Sequence, residues 1–481
     1  MSEVRNLEPS EIWNFFEDLN AVPRPSKKEE RVIAFIVDFG ERLGLETYTD
    51  PVGNVIIKKP ATSGMENRKT VVMQAHLDMV HQKNSDTDFD FNSEGIKSLI
   101  DADWVKADGT TLGADNGMGV AAIMAVLSSK EMAHPAIEAL FTIDEETGMT
   151  GAFKLETGVL KGKILLNLDT EDDDEFSIGC AGGIDTNTFY EYQQTAPAEN
   201  SAGYEISITG LKGGHSGMDI HLGRGNANIL MNRLLLDTDQ YGLRVSEIDG
   251  GSLRNAIPRE SFATIVIIGE AYLDAFKNRV RLIQSEFNIV EPSLEITIKP
   301  CEKPGQVMTL NDQVKMTHSI NCVYNGVYRM SPAMPGLVET SSSLARVIVQ
   351  GGEFKTQSLQ RSSVESSKMD IAHTVGSAFE LMGCEVEHSG SYPGWAPNPD
   401  SEILTLMVEK YANLFNEKPR VQACHAGLEC GILGEKYPNW DMISFGPTIR
   451  NPHSPDEKVN IKSVQKFWGF LKDVLKDIPA D

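Results

Sequence analysis

Apolar runs that end in polar residues recur along the first part of the chain. The run at 71–75 is followed by His76 and Asp78, and the runs at 139–143 and 164–168 end in acidic residues. Short apolar runs separated by amphipathic helical segments are typical of buried strands in a sheet covered by helices. The pattern therefore predicts an α/β fold with a mixed, largely parallel sheet.

The pattern changes at about residue 186. Strands there are apolar on one face only and alternate with helices, which is typical of an α+β domain. At about residue 394 the chain returns to the first pattern. We therefore predict a first domain formed by residues 1–185 and 394–481, with residues 186–393 as an inserted domain. The order of helices and strands recurs inside the insertion, which suggests a doubled unit, although no sequence motif repeats.

Local signals place two further features. Ser26 and Glu29 form a capping-box pattern, which predicts a helix start before the apolar positions that follow. The segment after the His76 strand is polar as far as about residue 108, and we expect it to be a polar excursion from the sheet.

Composition and charge exclude several classes of protein. The chain has 481 residues, 41% of them hydrophobic and 23% charged, as expected for a globular protein of two or more domains. Six cysteines, none in CxxC spacing, and an N-terminus without an apolar signal core favour a cytoplasmic location. No apolar run approaches the roughly 20 residues that cross a bilayer. A net charge of −25 argues against nucleic-acid or anionic-membrane partners.

Five residues of metal-ligand type follow strands or loops of the first domain. They are His76, Asp115, Glu146, Asp169 and His453. Each has a simpler interpretation alone, because an aspartate often caps a helix and loops at strand ends are polar. Together they mix imidazole and carboxylate as zinc prefers, and ligands bind beyond the carboxyl ends of parallel strands. The set predicts a metal site.

Charge balance favours two divalent ions over one. The carboxylates of Asp115, Glu146 and Asp169 carry three negative charges, and a bridging hydroxide would supply the fourth. Asp115 would bridge the ions, with His76 and Asp169 completing one coordination shell. Glu146 and His453 would complete the other.

Two further carboxylates have predicted roles beside the ions. Asp78 would orient the ring of His76. Glu145 leaves the strand in a different direction from the ligand that follows it. It would act as general base towards the metal-bound water and pass the proton to the leaving amine. The simpler alternative is that 144–146 is a solvated acidic turn. The acidic run 171–175 is interpreted as a solvated loop rather than a third cation site.

Four of these stretches resemble the successive motifs of the co-catalytic zinc exopeptidases, which include acylases, carboxypeptidases and dipeptidases. They are Ala75-His76-Leu77-Asp78-Met79-Val80, Gly113-Ala114-Asp115-Asn116-Gly117, Asp144-Glu145-Glu146-Thr147-Gly148 and Leu168-Asp169-Thr170-Glu171. Five more resemble the bacterial aminoacyl-histidine dipeptidases within that family. They are Gly213 to His221, Arg254 to Pro258, Pro393 to Pro397, His425 to Gly431 and Asn451 to Ser454. The similarity runs from about residue 10 to the end.

The resemblance implies roles for residues of the insertion, which corresponds to the lid domain of the family. His215 matches the lid histidine that polarises the scissile carbonyl and stabilises the tetrahedral oxyanion. Asn255 matches a residue that contacts substrate, and Arg361 lies where the family carries an arginine for the substrate carboxylate. An exposed strand arginine is the alternative for Arg361.

The resemblance also implies the activity. We expect a cytoplasmic dipeptidase that hydrolyses unblocked dipeptides, including Xaa-His (carnosine-like) substrates, with two Zn²⁺ per chain or Co²⁺ or Mn²⁺ in their place. An N-acyl amino acid deacylase with the same metals is the alternative. A non-catalytic metal-binding protein would be expected to lack a ligand or the base, and none is missing. Small dipeptides are the expected partners, and a homodimer is compatible with the resemblance.

The length of the insertion affects which subunit supplies His215. In many relatives the lid is a single short unit, and the lid histidine reaches the metals of the other subunit. Residues 186–393 are long enough for two such units. We therefore expect His215 to serve the metals of its own chain.

Overall fold

The computed structural model describes residues 3–481. The α-helices are α1 (Ser10–Asn20), α2 (Glu30–Arg42), α3 (Ala114–Ser128), α4 (Glu145–Gly148), α5 (Thr150–Lys154), α6 (Ala227–Leu235), α7 (Ala271–Phe287), α8 (Leu310–Cys322), α9 (Glu365–Glu380), α10 (Glu402–Phe415), α11 (Glu429–Lys436) and α12 (Ile461–Lys476). Short 3₁₀ turns lie at Glu3–Asn6, Ile220–Leu222 and Asp239–Tyr241.

The strands lie between these helices. They are β1 (Glu46–Thr49), β2 (Val55–Lys59), β3 (Val71–His76), β4 (Ser98–Asp101), β5 (Trp104–Ala107), β6 (Ile137–Thr142), β7 (Ile164–Asn167), β8 (Glu175–Cys180), β9 (Gly182–Glu191), β10 (Gln194–Thr195), β11 (Ser201–Thr209), β12 (Arg244–Gly250), β13 (Ser261–Ile268), β14 (Glu295–Pro300), β15 (Val307–Met308), β16 (Gly326–Met330), β17 (Val338–Gln350), β18 (Glu353–Ser362), β19 (Glu385–Tyr392), β20 (Arg420–Cys424), β21 (Asp441–Ser444), β22 (Ile449–Arg450) and β23 (Lys458–Asn460).

The chain divides into two compact units. The first comprises Met1–Gly179, Pro397–Ala423 and Leu428–Asp481, and the second comprises Cys180–Ala396 and Cys424–Gly427. The second unit starts before residue 186, the predicted boundary, because β9 already belongs to its sheet. The short segment 424–427, which joins the second unit, was not predicted.

In the described part of the chain, the first unit is built on a sheet of eight strands in the order β1-β2-β6-β3-β7-β21-β8-β20. Its central strands β6, β3, β7 and β21 are parallel, whereas β1, β2 and β8 pair antiparallel. Every residue of β3, β6 and β7 is buried, as strands covered on both faces require. The predicted α/β fold with a mixed sheet is confirmed, and the parallel pairs lie at the centre of that sheet.

The predicted polar excursion contains a hairpin. Strands β4 and β5 pair with each other and extend to β23 and β22 in a second sheet of the first unit. These strands are only four residues long and partly exposed. Their partner β23 lies far along the chain, so local sequence carries little sign of them.

The predicted capping box is wrong. Helix α2 begins at Glu30, and the preceding Glu29 makes no side-chain cap. The Ser26 hydroxyl instead donates to Asp78 Oδ2 at 2.8 Å. A tertiary hydrogen bond has therefore replaced the local one.

The second unit is built on a nine-stranded antiparallel sheet of the described chain, in the order β14-β11-β13-β12-β17-β18-β9-β19, with β16 beside β17. The half β11-α6-β12-β13-α7-β14 and the half β9-α8-β17-β18-α9-β19 have the same order of elements. Strands β12 and β17 join them, with Asp249 opposite Ile348. The recurrence in the sequence is thus a recurrence of sheet topology.

The helices also bear on membrane association. Across residues 3–481, none of them combines the length and apolar character needed to cross a bilayer.

Candidate active site

The central parallel strands of the first unit place polar side chains at one edge of the sheet. His76 is the last residue of β3, and β7 leads into Asp169. Strand β6 is followed by α4, which starts with Glu145 and Glu146. Because parallel neighbours end at the same edge, these side chains converge there.

His76 forms the first candidate ligand group with Asp115 and Asp169. Its Nε2 atom lies 3.2 Å from Asp115 Oδ1 and 3.6 Å from Asp169 Oδ1. The Nδ1 atom lies 3.1 Å from the carbonyl oxygen of Asp78. Since a carbonyl only accepts hydrogen bonds, Nδ1 carries a proton, and in the neutral ring the lone pair of Nε2 would face the two carboxylates. That is the tautomer a metal ligand needs.

His453 forms the second group with Asp115 and Glu146. Its Nε2 atom lies 3.2 Å from Asp115 Oδ2 and 3.0 Å from Glu146 Oε2. The backbone of His453 has a φ of 61°, a left-handed conformation that a non-glycine residue seldom adopts. Asp115 therefore offers one oxygen to each histidine and belongs to both groups.

The donor atoms suit cations with short bonds to nitrogen and oxygen. In a tetrahedral zinc site with bonds of about 2.1 Å, neighbouring ligand atoms are about 3.4 Å apart. The distances from each histidine Nε2 to the carboxylate oxygens of its group range from 3.0 to 3.6 Å. Glu146 Oε1 is also buried without a hydrogen-bond partner. The residues present therefore suit a pair of metal ions that share Asp115.

The charges of the cluster need a cation. Burial alone would lower the pKa of His76, but Asp169, Asp115 and Asp78 raise it well above its ordinary value. Hydrogen bonds to Asp115 and Glu146 raise the pKa of His453 to about 11. Burial raises the pKa of Asp169 well above its usual range. Buried carboxylates in such a cluster are stabilised when a cation neutralises them.

Asp78 lies between His76 and the start of α4. Its Oδ1 atom is 3.4 Å from His76 Nδ1 and accepts the backbone N–H of Glu145 at 3.0 Å. Its Oδ2 atom accepts the N–H of Glu146 at 3.3 Å. A single buried carboxylate thus positions a histidine of the cluster and the two adjacent glutamates.

The three consecutive acids after β6 have different surroundings. Asp144 has a φ of 51° and accepts hydrogen bonds from the hydroxyls of Thr147 and Thr150, which satisfies its carboxylate locally. Glu146 faces His453, whereas Glu145 lies close to His76 and Glu146 and belongs to neither group that contains Asp115. Burial raises the pKa of Glu145 to about 8. The run is therefore not a uniformly solvated turn.

The acidic run 171–175 is paired with basic side chains. Arg420 lies 2.7 Å from Asp174, and Lys466 lies 3.2 Å from Asp173. Arg450 contacts Asp172 at 2.5 Å. Three basic side chains thus pair with the three aspartates of the run, which agrees with its interpretation as a loop.

The second unit contains its own polar cluster around Arg361 on β18. Arg361 is only 4% exposed; its Nη1 donates to the Tyr392 hydroxyl at 2.8 Å, and its Nε has no partner. Its Nη2 atom lies 3.4 Å from His215 Nε2. Arg361 is thus buried rather than an exposed strand arginine, and Tyr392 is a contact that the sequence did not indicate.

His215 is held in one tautomer by the backbone. The N–H groups of Gly217 and Met218 donate to its Nδ1 at 3.3 and 3.0 Å. The neutral ring therefore carries its proton on Nε2, which faces Arg361. Burial and the charge of Arg361 lower the pKa of His215, which favours the neutral ring. Asn255 is exposed nearby, and its carbonyl accepts the N–H of Ser216 at 2.8 Å.

The chain is similar to a known protein family and to proteins of known function. The family model for peptidase family M20/M25/M40 matches residues 72–477. The cytosol non-specific dipeptidase of Escherichia coli (strain K12) is 42% identical over 485 residues, covering 100% of each chain.

Solved structures are also similar to this chain. The aminoacylhistidine dipeptidase from Vibrio alginolyticus is 46% identical and superposes with a TM-score of 0.96 over 100% of this chain and 99% of that one. The aminopeptidase PepT from Bacillus cereus is 15% identical with a TM-score of 0.57, covering 98% of this chain and 99% of its own. The second likeness concerns the fold alone.

Proposed function

The chain belongs to peptidase family M20/M25/M40, and we propose that it is a dipeptidase that uses two metal ions. It is a peptide hydrolase, since the relatives that match its full length are dipeptidases. The proposal of two ions rests on one observation: Asp115 presents one carboxylate oxygen to each of two histidines.

The proposed metal ligands follow the two groups. His76 and Asp169 would hold one ion, Glu146 and His453 the other, and Asp115 would bridge them. When bound, such a pair polarises a carbonyl and makes water more acidic. Zinc is the ion we propose, because imidazole and carboxylate at these separations suit it, with Co²⁺ or Mn²⁺ as substitutes.

Glu145 is the proposed general base. Its backbone is fixed by Asp78, and neither ligand group around Asp115 uses its carboxylate. The carboxylate would accept a proton from the attacking water and deliver it to the amine nitrogen as the peptide bond breaks. Burial raises the pKa of this group to about 8, and nearby cations would lower it, because they favour the charged carboxylate.

The polar cluster of the second unit suits an anionic part of the substrate. Arg361 has a free Nε–H, and its Nη2 and the proton-bearing Nε2 of His215 are donors that converge. Two donors that converge in this way suit an oxygen atom of the substrate as their acceptor. We propose that Arg361 binds the substrate carboxylate and that His215 donates to the oxyanion, with Asn255 as a further contact.

The substrate class is unblocked dipeptides, including those that end in histidine. The Vibrio relative is an aminoacylhistidine dipeptidase and the E. coli relative a non-specific dipeptidase. A deacylase of N-acyl amino acids is not favoured, because both full-length relatives are dipeptidases. The name of the E. coli relative also supports a cytoplasmic location and small peptides as partners, and we propose both here.

A substrate panel tests the proposal. Metal-reconstituted protein should hydrolyse free Xaa-His and other dipeptides and leave their N-acetylated forms intact. Preferential hydrolysis of the N-acetylated forms would identify a deacylase instead. The Glu145→Gln variant controls for contaminating peptidases.

A further inference from the structure

The loop that carries Asp115 is held by a buried carboxylate outside the ligand set. Glu457 is 2% exposed and lies four residues after His453. Its Oε2 accepts the N–H groups of Leu112 and Gly113 at 2.7 and 3.0 Å. Its Oε1 accepts those of Ala114 and Asp115 at 2.7 and 3.2 Å. Four consecutive backbone amides therefore bind one side chain.

The carbonyl side of the same loop is held as well. Arg24 is 1% exposed and donates from Nη2 to the Gly113 carbonyl at 2.6 Å. Its Nη1 donates to the carbonyl of Leu77 at 3.2 Å, just after His76. Gly113 has a φ of 70°, and a side chain there would collide with Arg24. The loop therefore has little freedom between Arg24 and Glu457.

We propose that Glu457 is a positioning residue that fixes the bridging ligand Asp115 before metal binds. The same short segment supplies His453 as a ligand and Glu457 as an anchor for the opposite ligand loop. Because four charge-assisted hydrogen bonds set the loop, both oxygens of Asp115 face the histidines without help from a cation. The loop then loses its conformational entropy during folding and not when metal binds. This strengthens the binding of both ions.

This inference rests on the proposed metal sites, and one comparison separates the two. Glu457→Gln keeps the shape of the side chain, but its amide group would face two N–H donors. We expect its affinity for Zn²⁺, measured by competition with a chromophoric chelator, to fall about 10- to 100-fold, as for lost outer contacts of metal ligands. If the parent binds no metal, the proposed function fails. If parent and variant bind Zn²⁺ equally, this inference fails.

Two matched controls remove a merely structural explanation. Glu138 also accepts two backbone amides, those of Lys161 and Gly162 at 2.7 and 2.9 Å, but near the opposite end of β6 from the ligands. Glu138→Gln should lower the melting temperature without changing Zn²⁺ affinity. Asp456→Asn removes the same charge from an exposed neighbour of Glu457 and should change neither quantity. Equal loss of Zn²⁺ affinity in any control would overturn the assignment.

A measurement on the parent protein covers the case in which Glu457→Gln does not fold. In the metal-free parent, the amides of residues 112–115 should already exchange slowly with deuterium, and added Zn²⁺ should slow them little. Rapid exchange that becomes slow only with Zn²⁺ would mean that the metal orders the loop. The milder Glu457→Asp variant keeps the charge on a shorter side chain and should show Zn²⁺ affinity between those of the parent and the glutamine variant; parent-like affinity would contradict the inference.

Discussion

Asp78 accepts a hydrogen bond from the backbone N–H of Glu145, with 3.0 Å between the two atoms. The anchor acts on the backbone, so the side-chain carboxylate of Glu145 is not consumed in holding the residue in place. A carboxylate fixed in this way is free to exchange protons. This relationship underlies the first prediction.

Glu145→Gln should retain its metals and lose turnover. The amide cannot accept a proton, whereas the Asp78 contact to the backbone is unchanged. We expect kcat to fall about 10²- to 10⁴-fold, the usual effect of a lost general base. Metal content by mass spectrometry and steady-state kinetics measure the two effects. Glu146→Gln is the matched control and should lose metal; near-parent turnover in Glu145→Gln would assign the base elsewhere.

Asp115→Ala should weaken both metal sites together. Its two oxygens face His76 and His453 separately, so one substitution removes a ligand from each group. Titration of metal-free protein with Zn²⁺ should show two ions for the parent and weakened binding of both for the variant. Asp86→Ala, at an exposed position of the first unit, should bind as the parent does. A single site untouched by Asp115→Ala would contradict the shared-ligand arrangement.

Arg361→Ala should weaken the binding of free dipeptides and leave the binding of C-terminally amidated ones unchanged. The variant loses a charged hydrogen bond to the substrate. The binding free energy of that bond is large enough that KM for free dipeptides should rise about 10- to 100-fold. The parent should prefer free acids over amides, and the variant should not. Arg233→Ala, an arginine paired with Glu286 in the same unit, should keep the preference. An unchanged preference in Arg361→Ala would place carboxylate recognition elsewhere.

His215 should serve its own chain. The second unit holds two alike halves in one sheet, so a second subunit is not needed to supply the other half. Mixing inactive His215→Ala with inactive Glu145→Ala under proven subunit exchange should therefore restore no activity. Recovered activity in mixed oligomers would show that His215 acts on the metals of a partner.

His425 should make stability pH-dependent on the acid side. Its ring is 5% exposed, its Nε2 lies 2.7 Å from Ser341 Oγ, and burial lowers its pKa to about 3. In the unfolded chain His425 takes up a proton near the ordinary pKa of histidine. The neutral buried ring therefore contributes fully to the stability of the folded protein above about pH 6.5, and this contribution is lost as pH falls towards 3. The slope is at most about 1.4 kcal/mol per pH unit.

The measurement uses metal-free protein, so that loss of metal in acid does not contribute. The melting temperature of the parent should fall more steeply below pH 6.5 than that of His425→Gln, and the two curves should run parallel above it. His318→Gln, at a ring that is 58% exposed, should keep the slope of the parent. Equal slopes for the parent and His425→Gln would contradict the assignment.

The sequence predicted the sheet of the first unit well because its strands are continuous apolar runs. Fully buried parallel strands such as β3 leave a pattern that needs no knowledge of their neighbours. The same strands end in the candidate ligands, so His76 and Asp169 could be grouped before the geometry was known. Their roles stay predictions.

Contacts made by residues far apart in sequence could not be predicted. Ser26 has a capping-box pattern, yet its hydroxyl binds Asp78. Glu457 binds amides more than 300 residues earlier, and Tyr392 on β19 reaches Arg361 on β18 across β9. The one available signal for Glu457 was its position four residues after His453. Boundaries were missed for the same reason, since β9 pairs with strands from the far end of its unit.

The two alike halves of the second unit carry different candidate substrate-binding residues. His215 and Asn255 lie in the half that contains β11 to β14, and Arg361 lies on β18 in the other. In a symmetric pair of identical chains, every mutation occurs twice, so both copies of a surface must remain suited to both tasks. Covalent fusion breaks that symmetry. Each half is free to diverge for one task, which accounts for a shared topology without a shared motif.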